Sequence, residues 1–233
     1  MISSPLADVP VFMLGPVPIK AQVLTSWAIM LVLALLCRAV QSHLKAFEQA
    51  PGRMPGRLQI LAESLVDTLR QQIRETMQLE PTPYLPLMTG LFVYILCANL
   101  SALIPGVEAP TARIETDAAL ALIVFCSVIV YGVRERGLWG YLKSFAEPHL
   151  MMVPLNLIES FTHAFSLMLR LFGNMMSGAF VMAILLSLAG LLVPIPFMAL
   201  DLLVGAIQAY IFTVLAMVFV GAAVADEQPS STT

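Results

Sequence analysis

Arg170 is the one basic residue inside a hydrophobic block of this 233-residue chain, and its neighbours at helical spacing are polar too. With about 100° of turn per residue, Glu159, His163, Ser166, Arg170 and Asn174 fall within an arc of about 80° and form one stripe. In the next apolar block Asp201 and Gln208 stand seven residues apart and share a face about two turns from each other. A guanidinium does not shed its proton, and placing it at mid-bilayer costs at least about 2.5 kcal/mol. It must be solvated or paired. Glu159 lies eleven residues away, about 16 Å along the same helix, so only a group on another helix can neutralise Arg170. Within the chain that group is Asp201; the alternative is a carboxylate on another chain. The first choice describes an internal salt bridge between helices. The second describes an ion route, in which titratable and hydrogen-bonding side chains enter from both sides of the membrane.

Other chemistries have weaker support. Glu159 and His163, four residues apart, offer a two-ligand metal face but lack the second histidine of a zinc-protease helix. Ser166 or Ser177 with His163 as base could serve an intramembrane hydrolase, yet no glycine-framed nucleophile turn surrounds either serine. No phosphate-binding loop is present. The sequence therefore predicts no metal and no cofactor, and no catalytic residue. Cys37, Cys97 and Cys126 lie in three different segments with neither metal nor redox spacing, as expected of buried packing thiols.

These residues need a membrane around them. Hydrophobic residues make up 59% of the chain and charged ones only 12%, about half the charge of a soluble domain. A net charge of −3 with no basic stripe gives nucleic acid no footing. The apolar residues collect near 21–37, 86–105, 117–133, 155–193 and 197–225, each long enough for a helix that crosses lipid. The reading is an all-α polytopic membrane protein of about five membrane helices. Its parts are an N-terminal external segment (1–20), a first membrane helix (21–40), a cytoplasmic loop (41–85), two further membrane helices (86–137), a second cytoplasmic loop (138–153), a terminal helical hairpin (154–225) and a cytoplasmic tail (226–233). The prolines among the first twenty residues and the lack of a basic n-region argue against a cleaved signal peptide.

Orientation follows from charge. Arg38, Lys45, Arg53, Arg57, Arg70 and Arg74 lie between the first two segments, and Arg134, Arg136 and Lys143 between the third and fourth. Both loops fall on one side, which the positive-inside rule makes cytoplasmic. The other side keeps Lys20 and Arg113, so the N-terminus is outside and the C-terminus inside. In the first loop Leu58, Leu61, Leu65, Leu69 and Ile73 recur at helical spacing opposite Glu63, Asp67, Arg70 and Arg74, predicting an amphipathic helix at the interface or docked on a partner. The block from Pro154 to Val193 would reach about 60 Å as one helix, twice the hydrocarbon core of about 30 Å. It either breaks, near Gly173 or Gly178, or lies strongly tilted. Pro194 and Pro196 mark the corner to the last helix.

The run Leu169-Arg170-Leu171-Phe172-Gly173-Asn174-Met175 resembles the signature of subunit a of F-type rotary ATP synthases. Asn99-Leu100-Ser101-Ala102-Leu103-Ile104-Pro105-Gly106, Pro110-Thr111-Ala112 and Gln208-Ala209-Tyr210-Ile211-Phe212 are similar to further family segments, in the family's order, from about residue 20 to 225. The resemblance implies a stator in a bacterial plasma membrane. Its hairpin would hug a ring of c subunits, with Arg170 facing the ring carboxylate and blocking leakage between two offset half-channels for protons or sodium. A peripheral-stalk subunit b, the other subunits of the complex and membrane lipid would be its further partners, and ATP chemistry would belong to other subunits. By the same resemblance Asn174 and Gln208 flank the arginine, Asp201 is titratable in the external half-channel, and Glu159 serves the cytoplasmic one or its mouth. Ala179 stands where many relatives carry a carboxylate, and Arg113 where an aspartate is common; Glu115 and Asp117 lie close enough to replace the latter at the external mouth. These departures, with the short N-terminal extension, are similar to the divergent N-type branch. The competing class is a secondary ion-coupled transporter with an Arg, His and Asp relay, which predicts repeated halves with broken helices that this sequence lacks.

Overall fold

Helix-forming apolar runs and proline punctuation set the element order. The computed structural model describes residues 12–14, 17–19, 21–49, 56–102, 109–146, 153–189 and 194–224. Its helices are α1 (Ala21–Gln49), α2 (Arg57–Met77), α3 (Leu85–Ser101), α4 (Ile114–Ala146), α5 (Val153–Ala189) and α6 (Pro194–Val224), with a 3-10 turn at Pro110–Ala112. An antiparallel pair, β1 (Phe12–Leu14) and β2 (Val17–Ile19), precedes them, with Phe12 opposite Ile19. Among the described residues that short hairpin is the one departure from an all-helical chain. Among the described residues α4, α5 and α6 are long and apolar enough to cross a membrane, and Val23–Arg38 and Leu85–Ser101 are shorter apolar stretches. The five predicted segments are all present, in a polytopic membrane protein. The C-terminal tail, the corner at 190–193 and the segment Leu103-Ile104-Pro105-Gly106 lie outside the described residues.

α6 is the hub, packing against α2, α3, α4 and α5. Its inward row of Ala209, Phe212, Ala216, Met217 and Val220 meets Met88, Leu91 and Ile95 of α3, Leu120, Ala121 and Val124 of α4, and Leu167 and Leu171 of α5 in one core. Small residues allow the close approach: a Cβ at Gly221 would sit 3.3 Å from the Met77 side chain. The predicted amphipathic helix is α2, and its C-terminal half docks into the core. Leu69, Ile73 and Met77 are buried against the chain's own α3 and α6, while Ile60 and Leu61 stay open. Gln78 closes it in the left-handed conformation, its N–H donating to the Arg74 carbonyl at 3.0 Å. Tyr210 of α6 donates its hydroxyl to the Gln72 side-chain oxygen at 2.9 Å.

One open choice is decided and two expectations change. Of the two readings of the long block the break is absent: α5 is one unbroken helix of 37 residues with no interruption at Gly173 or Gly178, because each glycine costs a helix only about 1 kcal/mol and the flanking leucines and methionines favour it. About 55 Å long, it exceeds the hydrocarbon core by some 25 Å and cannot stand upright in it. Cys37 and Cys126 face outward and Cys97 is half-buried, so the thiols do not pack the core; all three are free. Much of the loop expected at 138–153 is helix. α4 runs through to Ala146 with a break at Gly137, where φ is 73° and ψ 163°.

That backbone conformation is essentially restricted to glycine. The break turns Tyr141 back onto Gly132, where a Cβ would lie 2.5 Å from the ring. Gly137→Ala should therefore cost about 1–3 kcal/mol and lower the thermal unfolding midpoint of the assembled complex. Gly90→Ala, in open space on α3, should hold or raise it. Equal midpoints for the two variants would show that the break at Gly137 carries no strain.

Candidate functional site: the polar edge of the α5–α6 hairpin

Leu167, Leu171 and Met175 point α5 into the core, and this fixes where its polar stripe goes. Ser166, Arg170, Gly173 and Ser177 share the adjoining exposed edge. Among the described residues Arg170 makes no hydrogen bond or ion pair, with Asp201, Glu159 or any other group. The internal salt bridge is absent. The guanidinium is presented outward from a helix that is the least enclosed of the three long apolar ones. Phe161, Phe165, Leu169, Phe180, Val181 and Ile184 are exposed on the same helix, an apolar surface that lipid or another protein has to cover.

At the N-terminal end of α5 the His163 Nε2 lies 3.8 Å from the Glu159 carboxylate, one helical turn back. Its imidazole stacks on Phe219 of α6, with centroids 4.3 Å apart and planes 8° from parallel. The hairpin is thus closed here by an aromatic contact that leaves both titratable groups partly open. Ser166 is exposed and shares no hydrogen bond with His163, so a nucleophile and base pair is not formed.

Toward the far end of the hairpin Asp201 is half-buried and lies against Gly178. A Cβ on Gly178 would fall 2.5 Å from Asp201 Oδ1 and 3.1 Å from Oδ2, so the carboxylate occupies the space that a side chain there would need. Sequence reasoning missed this pair, treating Gly178 as a possible helix break. Asn174 and Gln208 each bring an amide nitrogen into the interior without a protein acceptor.

A second polar cluster lies where α3, the 3-10 turn and α6 meet. Asn99 Nδ2 donates to the Gly205 carbonyl at 2.8 Å, and Thr111 Oγ1 donates to Asn99 Oδ1 at 2.8 Å. Asn99 and Thr111 are buried, and a Cβ on Gly205 would press within 3.1 Å of Asn99. The hint was present in two recognised segments, but their meeting needed the fold. Of the two acidic residues expected at an external mouth, Glu115 is exposed, whereas Asp117 is fully buried. Helical phase explains the split, since Asp117 shares the inward row of Leu120, Ala121 and Val124.

Membrane-crossing helices, an arginine with no partner among the described residues and polar groups on both sides of it define an ion-translocating membrane subunit as the class. The comparisons agree. The ATP synthase A chain family matches residues 23–221. The chain is 54% identical over 224 residues to "ATP synthase subunit a 2" of Bradyrhizobium sp. (strain BTAi1), covering 96% of this chain and 97% of that one. It is 40% identical over 215 residues to "ATP synthase subunit a" of Albidiferax ferrireducens, covering 92% and 91%. With "ATP synthase subunit a 1" of Chlorobaculum parvum it shares 41% identity over 217 residues, covering 93% and 94%. The chain belongs to the subunit a family of ATP synthases, the non-catalytic, membrane-embedded, proton-translocating part of F0 that works in complex with the other subunits.

Proposed function

We propose that this chain is the ion-conducting stator of a rotary ATP synthase in a bacterial plasma membrane, and that Arg170 faces the carboxylate of a passing ring of c subunits. One observation carries the reading: the guanidinium has no counter-ion among the described residues and lies on the open edge of α5. A permanent cation in a low-dielectric setting favours the ionised form of a carboxylate beside it, driving off the bound proton or sodium, and it repels a cation that would slip straight across. Transport then requires rotation.

The two half-channels meet the ring on either side of Arg170. Asp201, with Asn174 and Gln208, serves the route open to the outside, and Glu115 lies at its mouth. Glu159, His163 and Ser166 serve the cytoplasmic route. The N-terminus lies outside and the C-terminus in the cytoplasm, as the basic loops dictate. The tilt that α5 needs to fit about 30 Å of hydrocarbon lays its long exposed face along the ring. Subunit b and lipid take the remaining outward apolar surface, including Trp27, Leu31 and Leu35 of α1.

Cysteine crosslinking tests the surface assignment. Ser166→Cys and Ser177→Cys should each form a disulfide with a cysteine placed near the ring carboxylate, and Leu167→Cys, 1% exposed, should not. Products from the buried position alone, or from none of the three, would place the ring elsewhere.

A further inference from the structure

From Ile114 to Arg134 the helix α4 rises about 30 Å, the thickness of the hydrocarbon core, so Arg134 falls where lipid headgroups begin. Just beyond it Gly137 breaks the helix and redirects it through Ala146. Tyr141 is buried with its ring against Gly132, which pins the redirected turn back onto α4. The same turn leaves Leu138 and Trp139 outward, at 62% and 85% exposure. Among the described residues Trp139 is the most exposed large apolar side chain, and it stands at the headgroup level that tryptophan favours.

The charge around it is positive. Over residues 131–143 the basic side chains are Arg134, Arg136 and Lys143, and the one acid is Glu135. Arg134 is exposed and makes no hydrogen bond or ion pair among the described residues. Arg136 lies beside Gly140, where a Cβ would sit 3.4 Å from the Arg136 Cβ, and its Nε has no acceptor among the described residues. A guanidinium does not shed its proton, so both charges are left to be balanced from outside the chain. Phosphate is the anion whose shape and charge suit a guanidinium fork. Short helices that lie in the headgroup plane combine Trp and Leu with Arg and Lys in this way. A lipid layer meets the chain from all sides at one depth, so the residues need share a level and not a face.

We propose that the bend at Gly137 and the helix beyond it dock on anionic phospholipid at the cytoplasmic face. Leu138 and Trp139 enter the boundary between headgroups and acyl chains, and Arg134 and Arg136 hold lipid phosphates. Lys143, exposed one turn beyond Trp139, adds to the positive field that favours an anionic leaflet over a neutral one. α4 packs against α5 and α6, so the anchor holds the ion-path hairpin at a fixed depth. This rests on the sidedness of the stator reading above and not on the role of Arg170.

The test uses the complete complex in vesicles of phosphatidylcholine and phosphatidylglycerol in equal parts, with bromine on the acyl chains of one lipid or of the other. Bromine quenches a tryptophan that it touches, and subtracting the emission of a Trp139→Phe complex isolates Trp139 from every other tryptophan. Brominated phosphatidylglycerol should quench Trp139 at least about twofold more than brominated phosphatidylcholine, and high salt should narrow the difference. In the double variant Arg134→Gln, Arg136→Gln the two lipids should quench alike. Equal quenching in the wild type overturns the proposal, because the contact is then with lipid of any charge. Quenching by neither lipid also overturns it and puts a protein subunit on Trp139. A bias that survives in the double variant overturns the assignment to the two arginines. If that variant does not assemble, the wild-type comparison decides alone. Failure of the stator reading is separate, since it would show as absent crosslinks at Ser166 and Ser177 while the lipid bias remained.

Discussion

Arg170→Ala abolishes ATP-driven ion pumping while the complex still assembles: this is the largest effect expected of any single substitution here. Arg170 makes no hydrogen bond or ion pair among the described residues, so removing it takes away no internal bond, and the packing of α5 rests on Leu167, Leu171 and Met175. What is lost is a fixed positive charge. Two opposite charges about 4 Å apart at an effective dielectric near 20 attract by about 4 kcal/mol, about a thousandfold in the preference of a ring carboxylate for its ionised state. Without it the carboxylate keeps its ion as it passes, and the barrier to direct leakage falls. Arg170→Lys should recover little, because an ammonium on a flexible stem gives up its proton when desolvated and lacks the planar fork. The measurement is acidification or sodium uptake in inside-out vesicles, with subunit stoichiometry checked on the same preparation. Coupled pumping by Arg170→Ala near the wild-type rate would refute the stator role.

Periodicity made the stripe on α5 legible, because one helix carries it and the phase of Ser166, Arg170 and Asn174 depends on nothing else. The same logic located α2 but not what it lies on: an apolar row fits lipid, a partner or α6 equally well. Its docking on α6 depends on Gly221 and on the Tyr210 hydroxyl, residues well over a hundred positions away. Contacts among three elements were out of reach for the same reason. Nothing local to Asn99 says that its amide will divide between Thr111 and the Gly205 carbonyl. Asp117 shows a different limit. Its closeness to Glu115 in sequence suggested a shared role at a surface, yet two residues on a helix differ by about 200° in direction, and packing sent one outward and the other in. Gly178 was read for what glycine does to a backbone, when its effect lies in the space it leaves for Asp201.

That space yields the second large effect. Gly178→Leu should collapse pumping and weaken the hairpin, since even the first carbon of a side chain would sit 2.5 Å from Asp201 Oδ1 and the rest would have to enter the α5–α6 contact. Gly178→Ala is the graded probe. The clashing atoms are at the end of a short side chain, so Asp201 can swing away, and the expected loss in stability is about 1–3 kcal/mol. Adding Asp201→Ser should relieve the crowding, and a double-mutant cycle on thermal stability should show coupling of about 0.5–3 kcal/mol between the two positions. Pumping should respond differently. Asp201→Ser removes a titratable group, so the double variant regains stability without regaining transport if Asp201 serves the external route. Additive stability effects would show that the two side chains do not compete for one volume. Full transport by the stabilised double variant would remove Asp201 from the ion path and leave the contact as packing alone.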